Sequence, residues 1–195
     1  MSHADLTNEL IALIAQDDET RERLAADGSL FEHGYHPEME AVHRANAMRL
    51  RELVAAHGWP GWSLVGDEAA SAAWRIVQHA IGEPAFQREM LGVLAAAAET
   101  GEVDPAEVAM LDDRIRVFEG RPQRYGTQYD WNDAADAMVP MGEVEEPDDV
   151  DARRAAVGLP PIEWRKPPPP DEPAPSDLDE RRRDYEAWLR RTGWR

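Results

Sequence analysis

Gly120-Arg121-Pro122-Gln123-Arg124-Tyr125-Gly126-Thr127-Gln128-Tyr129-Asp130-Trp131 is where glycine, proline, amides, a hydroxyl, phenols and guanidinium groups crowd together between two regular patterns. Such segments turn the chain or present polar groups to a ligand. Within it Gln123, Tyr125, Thr127, Tyr129 and Trp131 alternate with period two, and their residue types favour strands. The stretch from Ala137 to Val144 offers an antiparallel partner across a loop, with Pro140 at an edge. A two-stranded ribbon over 121–144 is marginal alone, so it must pack on helices. The expected fold is therefore mainly α: a single helical domain over 1–159 with a short two-stranded β ribbon packed on it. A Pro-rich linker over 160–175 and a C-terminal amphipathic helix over 176–195 complete the expected architecture.

The helices are read from apolar spacing of three and four. Residues 5–27 carry Leu6, Leu10, Leu13, Ile14 and Leu24, with Asp17, Asp18, Glu19 and Arg21 assigned to the wet side, and Gly28 ends the run. A second helix begins near His36-Pro37, where proline suits a first turn, and runs to Gly58. Gly58-Trp59-Pro60-Gly61-Trp62-Ser63-Leu64-Val65-Gly66 is a tight aromatic connection whose two tryptophans are expected to cap the core. A third helix extends from about Asp67 to Ile81, a fourth over 84–100, and a fifth follows Asp104 as N-cap and carries Val108, Leu111, Ile115 and Phe118.

Downstream of the opening stretch, Asp130 to Asp151 holds nine acidic residues and no basic one, which reads as solvated loop. Asp149 to Val157 forms a short helix with Arg153 and Arg154. Residues 160–175 contain eight prolines, which makes them extended and semi-rigid. The last helix carries Leu178, Tyr185, Trp188 and Leu189, with six arginines from Arg181 to Arg195. Beyond a proline run that passes few contacts it is expected to be separable from the body. It can also dock back on the acidic surface or catch a protein partner.

Composition limits the function. A chain of 195 residues, 43% hydrophobic and 31% charged, suits one core of ordinary size plus a tail. It has no cysteine, so disulfides and thiolate zinc sites are excluded and a reducing cytoplasmic location is expected. The start, Met1-Ser2-His3-Ala4-Asp5, lacks a basic region followed by an apolar one, so no secretory signal is expected. No apolar run approaches the ~20 residues needed to cross a bilayer. The formal charge of −18 disfavours a large nucleic-acid surface, which needs clustered Lys and Arg.

Candidate site residues follow from chemistry. His79 ends the third helix, where the helix dipole favours a protonated ring, and Gln78 beside it is a second polar group on a mostly apolar helix. Arg114 can clamp a carboxylate or phosphate. His36, Glu40 and His43 fall at i, i+4 and i+7 on one helix face, a spacing that can supply metal ligands and equally describes a plain polar face.

Two functions remain open. In one, a small enzyme, a hydrolase or group transferase, uses His79, Arg114 and Tyr125 as catalytic groups, while Gln78, Gln123, Thr127 and Gln128 orient a small-molecule or peptide ligand. These residues would then share one site. In the other, the polar cluster ties ribbon to helices in a non-catalytic binding or accessory module. No known catalytic motif is present, and the cofactor is unknown.

The series Gly58-Trp59-Pro60, Val65-Gly66, Gln78-His79-Ala80, Phe86-Gln87, Asp113-Arg114, Gln123 with Tyr125-Gly126-Thr127-Gln128, Asp151 with Arg153-Arg154, and Gly158-Leu159 resembles a bacterial family of unknown function. That family is marked by a QHA motif followed by DR and Q-x-YGTQ. The resemblance covers about residues 5–164 and implies positions rather than a reaction. The family tends to have an acidic residue where this chain has His43; both types bind metal or move protons.

Overall fold

A computed structural model describes residues 2–31, 35–168, 170 and 174–195. Part of the loop expected over 29–35, and Pro169 and 171–173 of the proline run, lie outside the described residues. The chain divides into two compact units, Met1–Val103 and Asp104–Arg195. Mainly helical architecture with a small ribbon is what forms, with eight α-helices and one two-stranded sheet among the described residues.

The first unit holds α1 (His3–Ala26), α2 (Pro37–His57), α3 (Trp62–Val65), α4 (Asp67–His79) and α5 (Pro84–Glu99). Ser2 and Asp5 form a reciprocal capping box that starts α1. Leu6, Leu10, Ile14 and Leu24 of α1 meet Leu50 and Leu53 of α2 and the small face Ala69, Ala72, Ala73 and Ile76 of α4 in the buried core. Small residues on α4 let it lie close to its neighbours. Phe86, Met90 and Leu94 bury the inner face of α5.

The connection after α2 contains the four-residue α3, a turn the punctuation of glycines and proline conceals. Pro60 and Gly61 are buried there, but Trp62 is 54% exposed, so only Trp59 is even half-buried. The Trp62 indole donates to the Gly101 carbonyl (2.7 Å), and the Glu102 carboxylate accepts from the Ser63 amide (3.1 Å) and hydroxyl (2.6 Å). Gly61 is needed for this approach, because a side chain there would put its Cβ 2.7 Å from the Glu102 Cβ.

The second unit holds α6 (Pro105–Phe118), β1 (Tyr129–Trp131), β2 (Met138–Pro140), α7 (Val150–Ala156) and α8 (Leu178–Thr192). Asp104 caps α6 by accepting the Ala106 N–H at 2.9 Å. The strands pair antiparallel, with Tyr129 opposite Pro140 and Trp131 opposite Met138. Both are shorter than the period-two pattern suggests. Gln123 makes only an isolated parallel bridge to Val144, and the residues between it and Tyr129 form an irregular loop.

The last two segments are held within this unit. Along the proline segment, the Tyr129 hydroxyl donates to the Glu163 carbonyl (2.9 Å), the Ile162 N–H donates to Asp151 (2.7 Å), and Lys166 bridges Met138. On α8, Trp188 and Leu189 are buried, as is Trp194 just beyond it. The Phe118 ring lies edge-on to Trp188 at 5.5 Å and 4.9 Å from Trp194. The separable tail expected from the proline run is thus replaced by an aromatic core contact. Apolar burial outweighs the freedom that the linker would otherwise give the helix.

Candidate functional site

The helices of the first unit bring four polar side chains of distant sequence together: Asp17 from α1, Tyr35 just before α2, His43 from α2 and His79 at the end of α4. The wet side of α1 is where the sequence assigns Asp17, yet it is 1% exposed. Its position on the helix explains the burial. Leu10, Ile14, Asp17 and Leu24 succeed one another at helical spacing, so residue 17 sits on the apolar stripe whatever its type.

Asp17 accepts from both imidazoles. His79 Nδ1 lies 2.7 Å from its Oδ2, and His43 Nε2 lies 3.3 and 3.2 Å from Oδ1 and Oδ2. Burial works to raise the Asp17 pKa, but the hydrogen bonds from His43 and His79 outweigh it and hold the carboxyl far below the usual range. The two rings are 5.3 Å apart between centroids.

Tyr35 stands on the far side of His43 from Asp17. Burial, reinforced by the charges of Glu40, Asp17 and Glu83, pushes its phenol far up, so it remains an O–H donor. Its hydroxyl is 2.5 Å from His43 Nδ1. Where the phenol donates to that nitrogen, His43 Nε2–H is left to donate to Asp17. His79 Nδ1 faces the same carboxylate, and in a neutral ring that donates from Nδ1 the lone pair is on Nε2. That Nε2 has no hydrogen-bond partner among the described residues, and the His79 side chain is 30% exposed. The arrangement suits acid–base chemistry: a ring held in place by a buried carboxylate, with its second nitrogen within reach of a ligand.

Gln87 fixes the end of α4 that carries His79. Fully buried, it donates through Nε2 to the Val77 carbonyl (2.7 Å) and, more weakly, to that of Gln78 (3.4 Å). These are carbonyls that the helix end cannot satisfy itself. Gln78 is buried on α4.

The candidate metal trio His36, Glu40 and His43 does not gather as a unit. His36 caps α2, its Nδ1 accepting the Glu38 N–H at 3.2 Å. Arg44 bridges Glu40 (3.1 Å) and Glu83 (2.7 Å). Of the trio, His43 alone joins a group whose ligand atoms lie within 4.8 Å of one another, with Asp17 and His79. Sequence spacing along one helix cannot find this group, because its members come from three helices.

In the second unit the other expected residues form a separate polar knot around Asp113, which is fully buried. Its carboxylate accepts the N–H groups of Arg124 (2.6 Å), Tyr125 (3.1 Å) and Thr127 (2.9 Å) and the Thr127 hydroxyl (2.9 Å). Gln123, also fully buried, donates to the carbonyls of Gln128 (3.0 Å) and Met141 (2.8 Å) and accepts the Gln128 N–H (2.8 Å). Arg114 donates to the Gln128 side chain at 3.1 Å. Burial lowers the Arg114 pKa to about 10, so it stays charged at neutral pH. Arg154 closes the loop from the other side, donating to the carbonyls of Tyr125 (2.6 Å) and Pro160 (2.5 Å). Gly126 makes room for this clasp: its φ is +62°, and a side chain there would collide with Ile162.

Thus Arg114, Gln123, Tyr125, Thr127 and Gln128 are brought together in one unit, while Gln78 and His79 belong to the other. Asp17 and Tyr35 are site residues that sequence reasoning misses, and Asp113 figures there only as a motif neighbour of Arg114. An acidic residue on an apolar stripe is the available signal for Asp17, and the Gln123–Gln128 stretch itself signals a partner for its many N–H groups.

No helix among the described residues is long and apolar enough to cross a membrane. No curated protein and no solved structure matches the chain. A family model described as a family of unknown function, DUF6624, matches residues 4–166, and the chain belongs to that family.

Proposed function

We propose that the protein is a small enzyme, a hydrolase or group transferase, whose reactive centre is the Tyr35–His43–Asp17–His79 cluster of the first unit. The observation that carries this reading is the state of His79: Nδ1 fixed on a buried carboxylate, Nε2 unpartnered among the described residues, ring partly open to solvent. His79 acts as the general acid/base, Asp17 orients its ring, and Tyr35 with His43 holds Asp17 in place. The ligand is a small molecule or peptide that reaches His79 Nε2. The lack of cysteine supports a cytoplasmic setting, and the GWP, QHA, DR and Q-x-YGTQ series supports a bacterial family signature.

The test is a panel of chromogenic acyl and phosphoryl esters, run on wild type and on His79→Asn. Turnover in the wild type should fall at least 10²-fold in the variant, with its thermal midpoint little changed. Equal rates in two folded proteins would remove the enzyme reading.

A second reading has support in the second unit. Asp113, Gln123, Thr127, Gln128 and Arg154 bond chiefly to one another and to loop backbone, as parts of a binding or accessory module would. In that reading the cluster holds the loop and does no chemistry. Asp113→Asn should then cost about 3 kcal/mol or more, since several charge-assisted hydrogen bonds weaken together. Urea unfolding measures it; a loss under about 0.5 kcal/mol would contradict the structural role.

A further inference from the structure

The Asp17, His43 and His79 side chains have the composition and spacing of a metal site. We propose that they bind one divalent transition-metal ion of the zinc type, leaving at least one coordination position for water or substrate. The proposal rests on the reading of this cluster as the reactive centre and names what that centre takes.

Three observations support it. First, the ligand atoms lie within 4.8 Å of one another, and both imidazoles already face one carboxylate at 2.7 and 3.2 Å. A tetrahedral ion with bonds of about 2.1 Å sets its donor atoms about 3.4 Å apart, so adjustments of around an ångström suffice. Second, two imidazoles with one carboxylate suit zinc, manganese, iron or cobalt, whereas magnesium and calcium prefer oxygen throughout. Three protein ligands are also the number that catalytic zinc sites use while keeping a fourth position open. Third, the surroundings fit a ligating histidine. Metal-bound imidazoles donate through their other nitrogen to a polar partner, and Tyr35 stands 2.5 Å from His43 Nδ1.

Proton balance follows from the tautomers. With both rings neutral and no ion bound, His43 Nε2–H and His79 Nδ1–H donate to Asp17. Binding at those two nitrogens then moves each proton to the other nitrogen of its own ring, whereas a ring that starts as imidazolium releases one proton to solvent. His43 Nδ1–H then donates to the Tyr35 oxygen. His79 Nε2 becomes an N–H donor, and the base becomes a water on the ion, which a zinc-type Lewis acid deprotonates near neutral pH.

The experiment uses full-length protein purified without a histidine tag, stripped with a chelator and dialysed. Titration with cobalt(II), followed by visible absorption, and with zinc by calorimetry should give one equivalent bound. Asp17→Asn and His79→Asn should weaken binding at least 100-fold, Tyr35→Phe about tenfold, and His36→Ala not at all. Should the first two variants fail to fold, nitrogen-15 spectra of the wild-type imidazoles decide. Zinc should leave His43 Nε2 and His79 Nδ1 without a proton and coordinated to the metal. A folded wild type that shows no cobalt absorption and no change in its imidazole spectra overturns the proposal. Turnover that persists in chelator and still depends on His79 also overturns it, and keeps the enzyme reading. One tight ion without turnover on the ester panel supports the site and counts against the enzyme.

Discussion

A carboxylate that has left water is stable as an anion only where donors replace its hydration, and Asp17 finds two in His43 and His79. Its depressed pKa therefore reports on folding. The folded value lies below the unfolded value of about 3.9, so the stability it contributes is complete above about pH 4 and is lost as pH falls through the folded value. In chelator-treated protein, Asp17→Asn should cost about 1–3 kcal/mol at pH 7, measured by urea unfolding. That difference should shrink when the comparison is repeated near pH 3; a constant difference would show that the carboxylate is not the source. None of this can be read from residue type, because aspartate on a helix is assigned to solvent by default. His79 is legible as a candidate because it closes a helix of small and apolar residues. What holds it is a contact across 62 positions of sequence, which periodicity cannot supply.

Helices are legible as elements wherever their stripes are regular. α2, α5 and α6 begin and end within two residues of the glycines, prolines and caps that punctuate them, and α4 begins directly after Gly66. The ribbon is legible as a partnership and less so as a length. Alternation from Gln123 to Trp131 suggests a long strand, but Asp113 and Gln123 take the loop's N–H and carbonyl groups with side chains, and only the last three residues pair as strand. Side-chain hydrogen bonds compete with sheet ladders in this way. The last helix differs for another reason. Proline density says that a segment is stiff, and it does not say whether the helix beyond it carries apolar surface to bury. Removing residues 176–195 uncovers Phe118 and should lower the thermal midpoint by several degrees, followed by circular dichroism. A midpoint unchanged within about 1 °C would show that α8 contributes nothing to the folded unit.

At the scale of the molecule, a charge of −18 is spread over two units that each have their own core. Many of its carboxylates take part in exposed ion pairs, such as Arg51 with Glu89 and Arg165 with Asp136. Pairs of this kind add little stability each and mainly keep the surface wetted. The acidic total is therefore a sound guide to what the protein avoids and a poor one to what it does. The few charges that matter most, Asp17 and Asp113, are buried and make up a small part of the sum. The buried aromatic cluster of the second unit also has an optical consequence. Trp188 and Trp194 are shielded beside Phe118, whereas Trp62 and Trp164 are about half exposed. The chain's own indole emission is accordingly divided into a population that iodide can quench by collision and one that it cannot, and the second becomes quenchable when α8 lets go.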